Sequence, residues 1–328
     1  MGCSSSLLNK KVVENNIIIK SPMTKILIEP KLIKKFVDIS TIHYKNPTRN
    51  DMAICFVYFN FANSKRILMN YLYTVNKMKL ANIPYFTLEL VINTPDIKDA
   101  FHIYSSPASP LFHKEHLCNL LEKKIKKSYT KLLFLDCDII FSDIMWYDKV
   151  SKELDSYQIV QPFSDAMFLD ITYTKVIQEK LSVVFMDKST VFNHKYHPGF
   201  GWAFQRKWFQ KVGFYPYAIT GCGDTLSVAA WLQVPLQTGY LQNAYEPSYN
   251  IYKMNAKGTI SCVDSTIYHL WHGTDINRQW RERHKILEGI TDVRHILKIE
   301  NDKPFVLLNK EVENKLNTYF INRVDDSI

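Results

Sequence analysis

The triplet Asp136-Cys137-Asp138 closes the apolar run Lys131–Leu135. Carboxylates at i and i+2 converge on one cation where a chain bends. Their hard oxygens suit Mg2+ or Mn2+, ions that bind together with substrate phosphates. A solvated strand end followed by a turn is the plainer explanation, but the buried run before the triplet favours the metal. His269 and His272 form a second pair further along. An imidazole beside carboxylates fits Mn2+ better than Ca2+. His272 precedes Gly273, where backbone can approach a phosphate closely. His272 is therefore expected to be the ligand and His269 a structural or supporting residue. Asp224 follows the turn Gly221-Cys222-Gly223 and opens an apolar helix, a position where Asp also serves as an N-cap. The basic residues Arg278, Arg281, Arg283, His284 and Lys285 can embrace a diphosphate, or can simply form a solvated face. Trp202 and Trp271 offer rings for a sugar or a base, or for the core.

These residues need a scaffold. The run Ala53–Phe59 reads as a strand, and Ser64 as the N-cap of a helix with Ile67, Leu68, Tyr71, Leu72, Val75 and Met78 at helical spacing. A strand over Phe86–Ile92, a helix over Lys114–Lys127 and a strand over Lys131–Leu135 follow. Alternating strands and helices predict an α/β protein with a doubly wound, mostly parallel sheet. The second half is less regular: a strand at Tyr157–Gln161 and helices at Thr172–Leu181, Arg206–Val212 and Asp224–Leu232 are expected. So are a strand at Val263–Leu270 and a helix at Asn277–Glu288. The expected organisation is a lead-in over 1–50 and one composite domain over 51–290. That domain divides into a 51–150 half and a 151–290 half, with a peripheral tail over 291–328.

The chain has 328 residues, 46% hydrophobic and 22% charged, which excludes disordered, collagenous and disulfide-scaffold classes. Its net charge of +9 suits a polyanionic partner: nucleic acid, an anionic membrane face or a nucleotide diphosphate. The six cysteines form no C-x-x-C pair, and no run is long and apolar enough for a membrane span. These features favour a reducing, cytoplasmic setting. The N-terminal Met1-Gly2-Cys3-Ser4-Ser5-Ser6 fits N-myristoylation at Gly2 with palmitoylation at Cys3. Two acyl chains would suffice for peripheral membrane contact, whereas one binds marginally.

Five segments in order carry a family resemblance: Phe112-His113-Lys114-Glu115-His116-Leu117-Cys118-Asn119, then Asp136-Cys137-Asp138, then Gly199-Phe200-Gly201-Trp202-Ala203-Phe204, then Gly221-Cys222-Gly223-Asp224, and finally His272. Together they resemble GT-A glycosyltransferases of the β-1,4-galactosyltransferase and polypeptide N-acetylgalactosaminyltransferase type. The chain is also similar to bacterial and large-DNA-virus transferases with a terminal signature, here Leu270-Trp271-His272-Gly273 and Asn277-Arg278. The resemblance covers roughly residues 52–290. It implies a GT-A fold, Mn2+ or Mg2+ as cofactor and a nucleotide-diphosphate sugar, most often a UDP-sugar, as donor. A glycan, protein or lipid hydroxyl would be the acceptor, with inverting stereochemistry and no nucleic acid partner. By the same resemblance Asp138 holds the metal with His272, Asp136 binds the ribose or the metal, and Asp224 is the catalytic base. Phe56, Asn60, Lys114, Asn119, Asp136, Trp202 and Arg278 would line the donor site. Here the sequence departs from the family, because Asp224 stands without the family's run of acids. A metal-dependent nuclease or nucleotidyltransferase, and a non-catalytic membrane-tethered module of the same fold, are the alternatives.

Overall fold

The strand beginning at Met52 sets the frame, because its alternate side chains enter two different cores. The computed structural model describes residues 35–105, 110–186, 191–193, 195–236, 243–279 and 282–326. Gly2 and Cys3, the positions expected to be acylated, lie outside these residues. In chain order the first half contains β1 (Met52–Tyr58), α1 (Lys65–Leu80), β2 (Tyr85–Val91), β3 (Phe101–Tyr104), α2 (Lys114–Glu122), β4 (Lys131–Leu135), β5 (Ile139–Phe141) and α3 (Trp146–Glu153). Next come β6 (Ile159–Gln161), β7 (Asp165–Leu169), β8 (Val176–Ser182), α4 (Val183–Met186), β9 (Tyr196–His197) and β10 (Gly201–Gln205). The chain continues with α5 (Arg206–Val212), α6 (Gly223–Trp231), α7 (Glu246–Asn255), β11 (Ile260–Cys262), β12 (Thr266–His269), β13 (Leu297–Lys298), β14 (Val306–Leu307) and α8 (Lys310–Asn322).

A seven-stranded sheet in the order β11-β6-β10-β4-β1-β2-β3 forms the centre, and only β10 runs against its neighbours. Ile54 and Phe56 of β1 and Leu133 and Leu135 of β4 pack with Tyr71, Val75 and Met78 of α1. Ala53, Cys55, Leu132 and Phe134 face the other way, onto Leu117 and Leu121 of α2 and the Trp202–Trp231 cluster. Both faces of the sheet are thus covered, and the α/β class expected from the sequence is the one observed. Ser64 caps α1 by accepting the Ile67 N–H at 3.1 Å, a bond type worth about 1 kcal/mol.

A second sheet, β5-β12-β7-β8-β9, stands beside the first. Three expectations are corrected. The segment expected to be helical over Thr172–Leu181 contains strand β8, paired antiparallel with β7. Its cause is local: the Asp170 carboxylate accepts the Thr174 and Lys175 N–H groups at 3.0 and 3.1 Å, which fixes a turn and sends the chain back as a hairpin. The expected strand over Val263–Leu270 is present as the shorter β12, Thr266–His269, in the second sheet. Among its described residues the expected helix over Asn277–Glu288 is instead turns and a short 3-10 helix, Arg283–Leu287, with Arg281 outside the described residues.

The tail is not peripheral, which is the third correction. Phe320 of α8 packs on Phe61 and Phe112, with ring centroids at 4.9 and 5.1 Å. Residues of the lead-in belong to the same body, since the Tyr44 hydroxyl accepts the Phe141 N–H at 2.9 Å. Among the described residues no helix is long and apolar enough to cross a membrane.

Candidate active site

In open α/β sheets ligands sit beyond the carboxyl ends of the parallel strands. A cleft of about 820 Å3 opens there, lined by Val57–Ala62 after β1 and by Leu135–Asp138 after β4. Phe134 faces α2, so alternation carries Asp136 to that same side. Lys114, in the first turn of α2, meets it with Nζ 2.6 Å from Oδ1. Asp138 goes to the other side, where β12 lies antiparallel to β5 with His269 opposite Ile139. The Leu270 N–H donates to the Asp138 carbonyl at 2.9 Å, which locks that register. As a result Asp138 Oδ2 lies 3.5 Å from His269 Nε2 and 3.1 Å from His272 Nε2.

Asp138, His269 and His272 offer donor atoms that all lie within 4.8 Å of one another. Asp138 Oδ1 is buried without a hydrogen-bond partner among the described residues. A buried carboxylate oxygen left unpaired is costly unless something electropositive completes it. One carboxylate and two imidazoles fit Mn2+ well, and fit Mg2+ less well because it prefers an all-oxygen shell. Burial pushes the Asp138 carboxyl upward, but His269 and His272 outweigh it and hold the group well below the usual carboxylate range. Burial lowers His269, with Asp138 pulling the other way. Both shifts favour the carboxylate and the neutral imidazole that a cation needs.

Asp136 is corrected as a metal ligand. It lies outside this group and is engaged by Lys114, and the second imidazole, His269, stands in the group instead. The sequence signal for His269 was the His-x-x-His pair itself; what it lacked was the β5–β12 pairing that brings the ring to Asp138.

The opposite wall of the cleft is acidic. The helix α6 begins at Gly223, and its N-cap is Cys222 in a left-handed conformation with φ 64°. Asp224 therefore stands inside the first turn, so an N-cap role does not account for it. Its Oδ1 accepts the Thr225 N–H at 2.7 Å, and a Cβ on Gly199 would run into its other oxygen. Glu115, the residue after Lys114, reaches under the same turn, where a Cβ on Gly223 would collide with its carboxyl. Burial raises Glu115 to about 7, against the pull of Lys114 and with the push of Asp224. Burial likewise raises Asp136 to about 6, against Lys114. Glu115 has no role in the sequence reading, because only the fold reveals that α2 and α6 meet here.

A cationic rim completes the cleft. Arg278, Arg283 and Arg323 all line it. The Arg283 and Arg323 guanidiniums lie 4.6 and 6.0 Å from the Phe112 ring centroid. Burial, then Arg323 and Arg283, lower Arg278 to about 10, and its Nε is buried without a partner among the described residues. Such a concentration of guanidinium charge is suited to an anion.

The remaining expected donor residues divide. Asn60 lines the cleft mouth, where its Oδ1 accepts the Ser64 N–H at 2.8 Å and shapes the turn into α1. Trp202 forms a wall, with its Nε1 donating to the Pro198 carbonyl at 2.8 Å and its ring against Trp231. Phe56 is corrected: it is fully buried under α1, edge-on to Tyr71 and Tyr85, because β1 alternation turns it from the cleft. Asn119 is corrected too: its side chain accepts the Phe214 N–H at 2.8 Å and donates to the Phe214 carbonyl at 2.9 Å, tying α2 to the chain after α5.

No family model matches the chain, and no curated protein matches it. Among solved structures it is similar to the catalytic domain of Drosophila β1,4-galactosyltransferase 7 in complex with xylobiose. That match has 12% identity over 78% of this chain and 93% of that one, with a TM-score of 0.37. It is also similar to glucosyl-3-phosphoglycerate synthase from Mycobacterium tuberculosis in complex with Mn2+, UDP-glucose and phosphoglyceric acid. There the identity is 12%, over 77% of this chain and 89% of that one, with a TM-score of 0.37. Both likenesses are remote, and the functional reading rests on this chain's own geometry.

Proposed function

We propose that the protein is a metal-dependent glycosyltransferase of the GT-A type. It would transfer a sugar from a nucleotide-diphosphate sugar, a UDP-sugar foremost, to an acceptor hydroxyl with inversion. The observation that carries this reading is the joint presence, in one cleft, of the Asp138–His269–His272 group, the arginine rim and the Asp224 carboxylate. A nuclease reading has less support, since Asp136 on the far wall is ion-paired with Lys114 and the donor group found among the described residues is Asp138, His269 and His272.

Asp138, His269 and His272 would hold Mn2+, which supplies Lewis-acid stabilisation to a departing diphosphate. Arg278, Arg283 and Arg323 bind and orient the same diphosphate from the other side, as charge-assisted donors. Lys114 neutralises Asp136 and stands near Asp224 and Glu115, which keeps the acidic wall from repelling an anionic donor. Asp224, held at the positive end of α6, takes the acceptor proton at its carboxylate. The Gly199 approach fixes where that carboxylate points. Trp202 and the buried aromatic wall exclude water from the sugar side.

Incubation with a panel of nucleotide sugars and Mn2+ tests the reading. Metal-dependent transfer or slow donor hydrolysis supports it. Inertness toward every donor, or tight DNA binding with cleavage, overturns it. Acylation at Gly2 and Cys3 belongs to the same proposal, and a Gly2→Ala protein moving from membrane to soluble fractions of eukaryotic cells supports it.

A further inference from the structure

His272 has two ring nitrogens, and each faces a carboxylate. Its Nε2 lies 3.1 Å from Asp138, while its Nδ1 lies 3.6 Å from Asp325 Oδ1, within ion-pair reach. Nδ1 is buried and has no hydrogen-bond partner among the described residues. Asp325 itself is 2% exposed. A carboxylate is placed so deeply only where it is paired, and Arg323 supplies one pairing through bonds of 2.7 and 2.9 Å. The other open direction is toward His272.

The segment carrying Asp325 is anchored on both sides. The Val324 N–H donates to the Asn277 carbonyl at 3.1 Å. Gly273, with φ +93°, lets the chain pass so close that a Cβ there would sit 2.8 Å from the Val324 carbonyl oxygen. Asp326 accepts the Lys65 and Arg66 N–H groups at 3.0 Å each, at the N-terminus of α1. A carboxylate at that end of a helix is favourable, so the anchor is built from backbone and dipole. This holds the next residue, Asp325, against the ring.

We propose that Asp325 is a positioning residue for His272, so that the C-terminal segment Arg323–Asp326 forms part of the metal site. The partner of one imidazole nitrogen decides which nitrogen is free for a cation, and fixes the ring's orientation. Asp325 acts on Nδ1 and leaves Nε2 for the metal beside Asp138. The proposal rests on the metal reading above and adds to it a residue from a part of the chain the family resemblance does not reach.

The test is titration of the full-length protein with Mn2+ alone, followed by electron paramagnetic resonance of free Mn2+ and paired with melting curves. Asp325→Asn keeps the side-chain shape and is expected to weaken Mn2+ binding roughly tenfold or more at a near-native melting temperature. Arg323→Gln breaks the same ion pair while keeping the carboxylate, and is expected to weaken Mn2+ clearly less. The double variant leaves no guanidinium unpaired and should match Asp325→Asn in Mn2+ affinity, which covers the case in which the single variant folds poorly. Unchanged affinity in Asp325→Asn overturns the proposal, as does an equal loss in Arg323→Gln. A wild-type protein that binds no Mn2+ overturns the metal reading itself, which is a separate outcome.

Discussion

Asp136 and Asp138 stand two residues apart and face opposite walls of one cleft. Asp136 belongs to an acidic wall with Glu115 and Asp224, where Lys114 ion-pairs with Asp136 at 2.6 Å and also feels the charge of the other two. Asp138 belongs to an imidazole wall, with His269 and His272 around it and Asp325 behind. The acidic wall raises its carboxyls, Glu115 to about 7 and Asp136 to about 6, chiefly by burial. The imidazole wall lowers Asp138 despite equal burial pressure. The difference teaches that paired acids in sequence need not be paired in function. In the proposed reading one wall handles protons and the other a cation.

Substitutions confined to one wall separate these roles. Asp224→Asn has the largest expected effect: a loss of turnover of roughly a hundredfold or more, because an amide cannot take the acceptor proton. Mn2+ affinity and melting temperature should stay near wild type, as Asp224 is not the helix cap. Wild-type turnover in steady-state assays would remove Asp224 as the base. His269→Ala probes the other wall and should weaken Mn2+ about tenfold by calorimetry, without creating a pH shift in the acidic wall. If Mn2+ binds as before, the cation is held elsewhere.

Glu115→Gln sharpens the contrast through pH. The native carboxyl at about 7 lies above its ordinary 4.5, so the folded state holds a proton that the unfolded state has released between those values. That contribution to stability is full below about 4.5 and is lost as pH rises to about 7. The metal-free wild type should therefore lose melting temperature over that window more steeply than Glu115→Gln. Parallel profiles would contradict the raised carboxyl. Asn119→Ala has the smallest effect on function. It forfeits two bonds to Phe214, at a stability cost of about 1–3 kcal/mol in chemical denaturation, and should leave UDP-sugar affinity intact. A fall in donor affinity at unchanged stability would return Asn119 to the donor site.

Local signals explain what could be read before the fold was known. The buried pentapeptide ahead of Asp136, the Ser64 cap and the helix over Arg206–Val212 all depend on neighbouring residues, and all stand where the pattern placed them. The meeting of Asp138 and His272 accords with the sequence reading that grouped them. His269 was undervalued because its position depends on β12 pairing with β5 across more than a hundred residues of chain. Phe56 was misread for the opposite reason: strand alternation decides its side, but which side faces the cleft is set by where α1 packs. Strand β8 was mistaken for a helix because its turn depends on one Asp170 side chain. The tail was called peripheral because nothing local in Arg323-Val324-Asp325-Asp326 announces docking against His272 and α1.

The central claim is that Asp138, and not Asp136, anchors the cation. Calorimetric titration of Mn2+ into wild type, Asp138→Asn and Asp136→Asn decides it. The account predicts saturable Mn2+ binding in the wild type, its loss in Asp138→Asn, and its retention in Asp136→Asn. Binding that survives in Asp138→Asn and disappears in Asp136→Asn would contradict it.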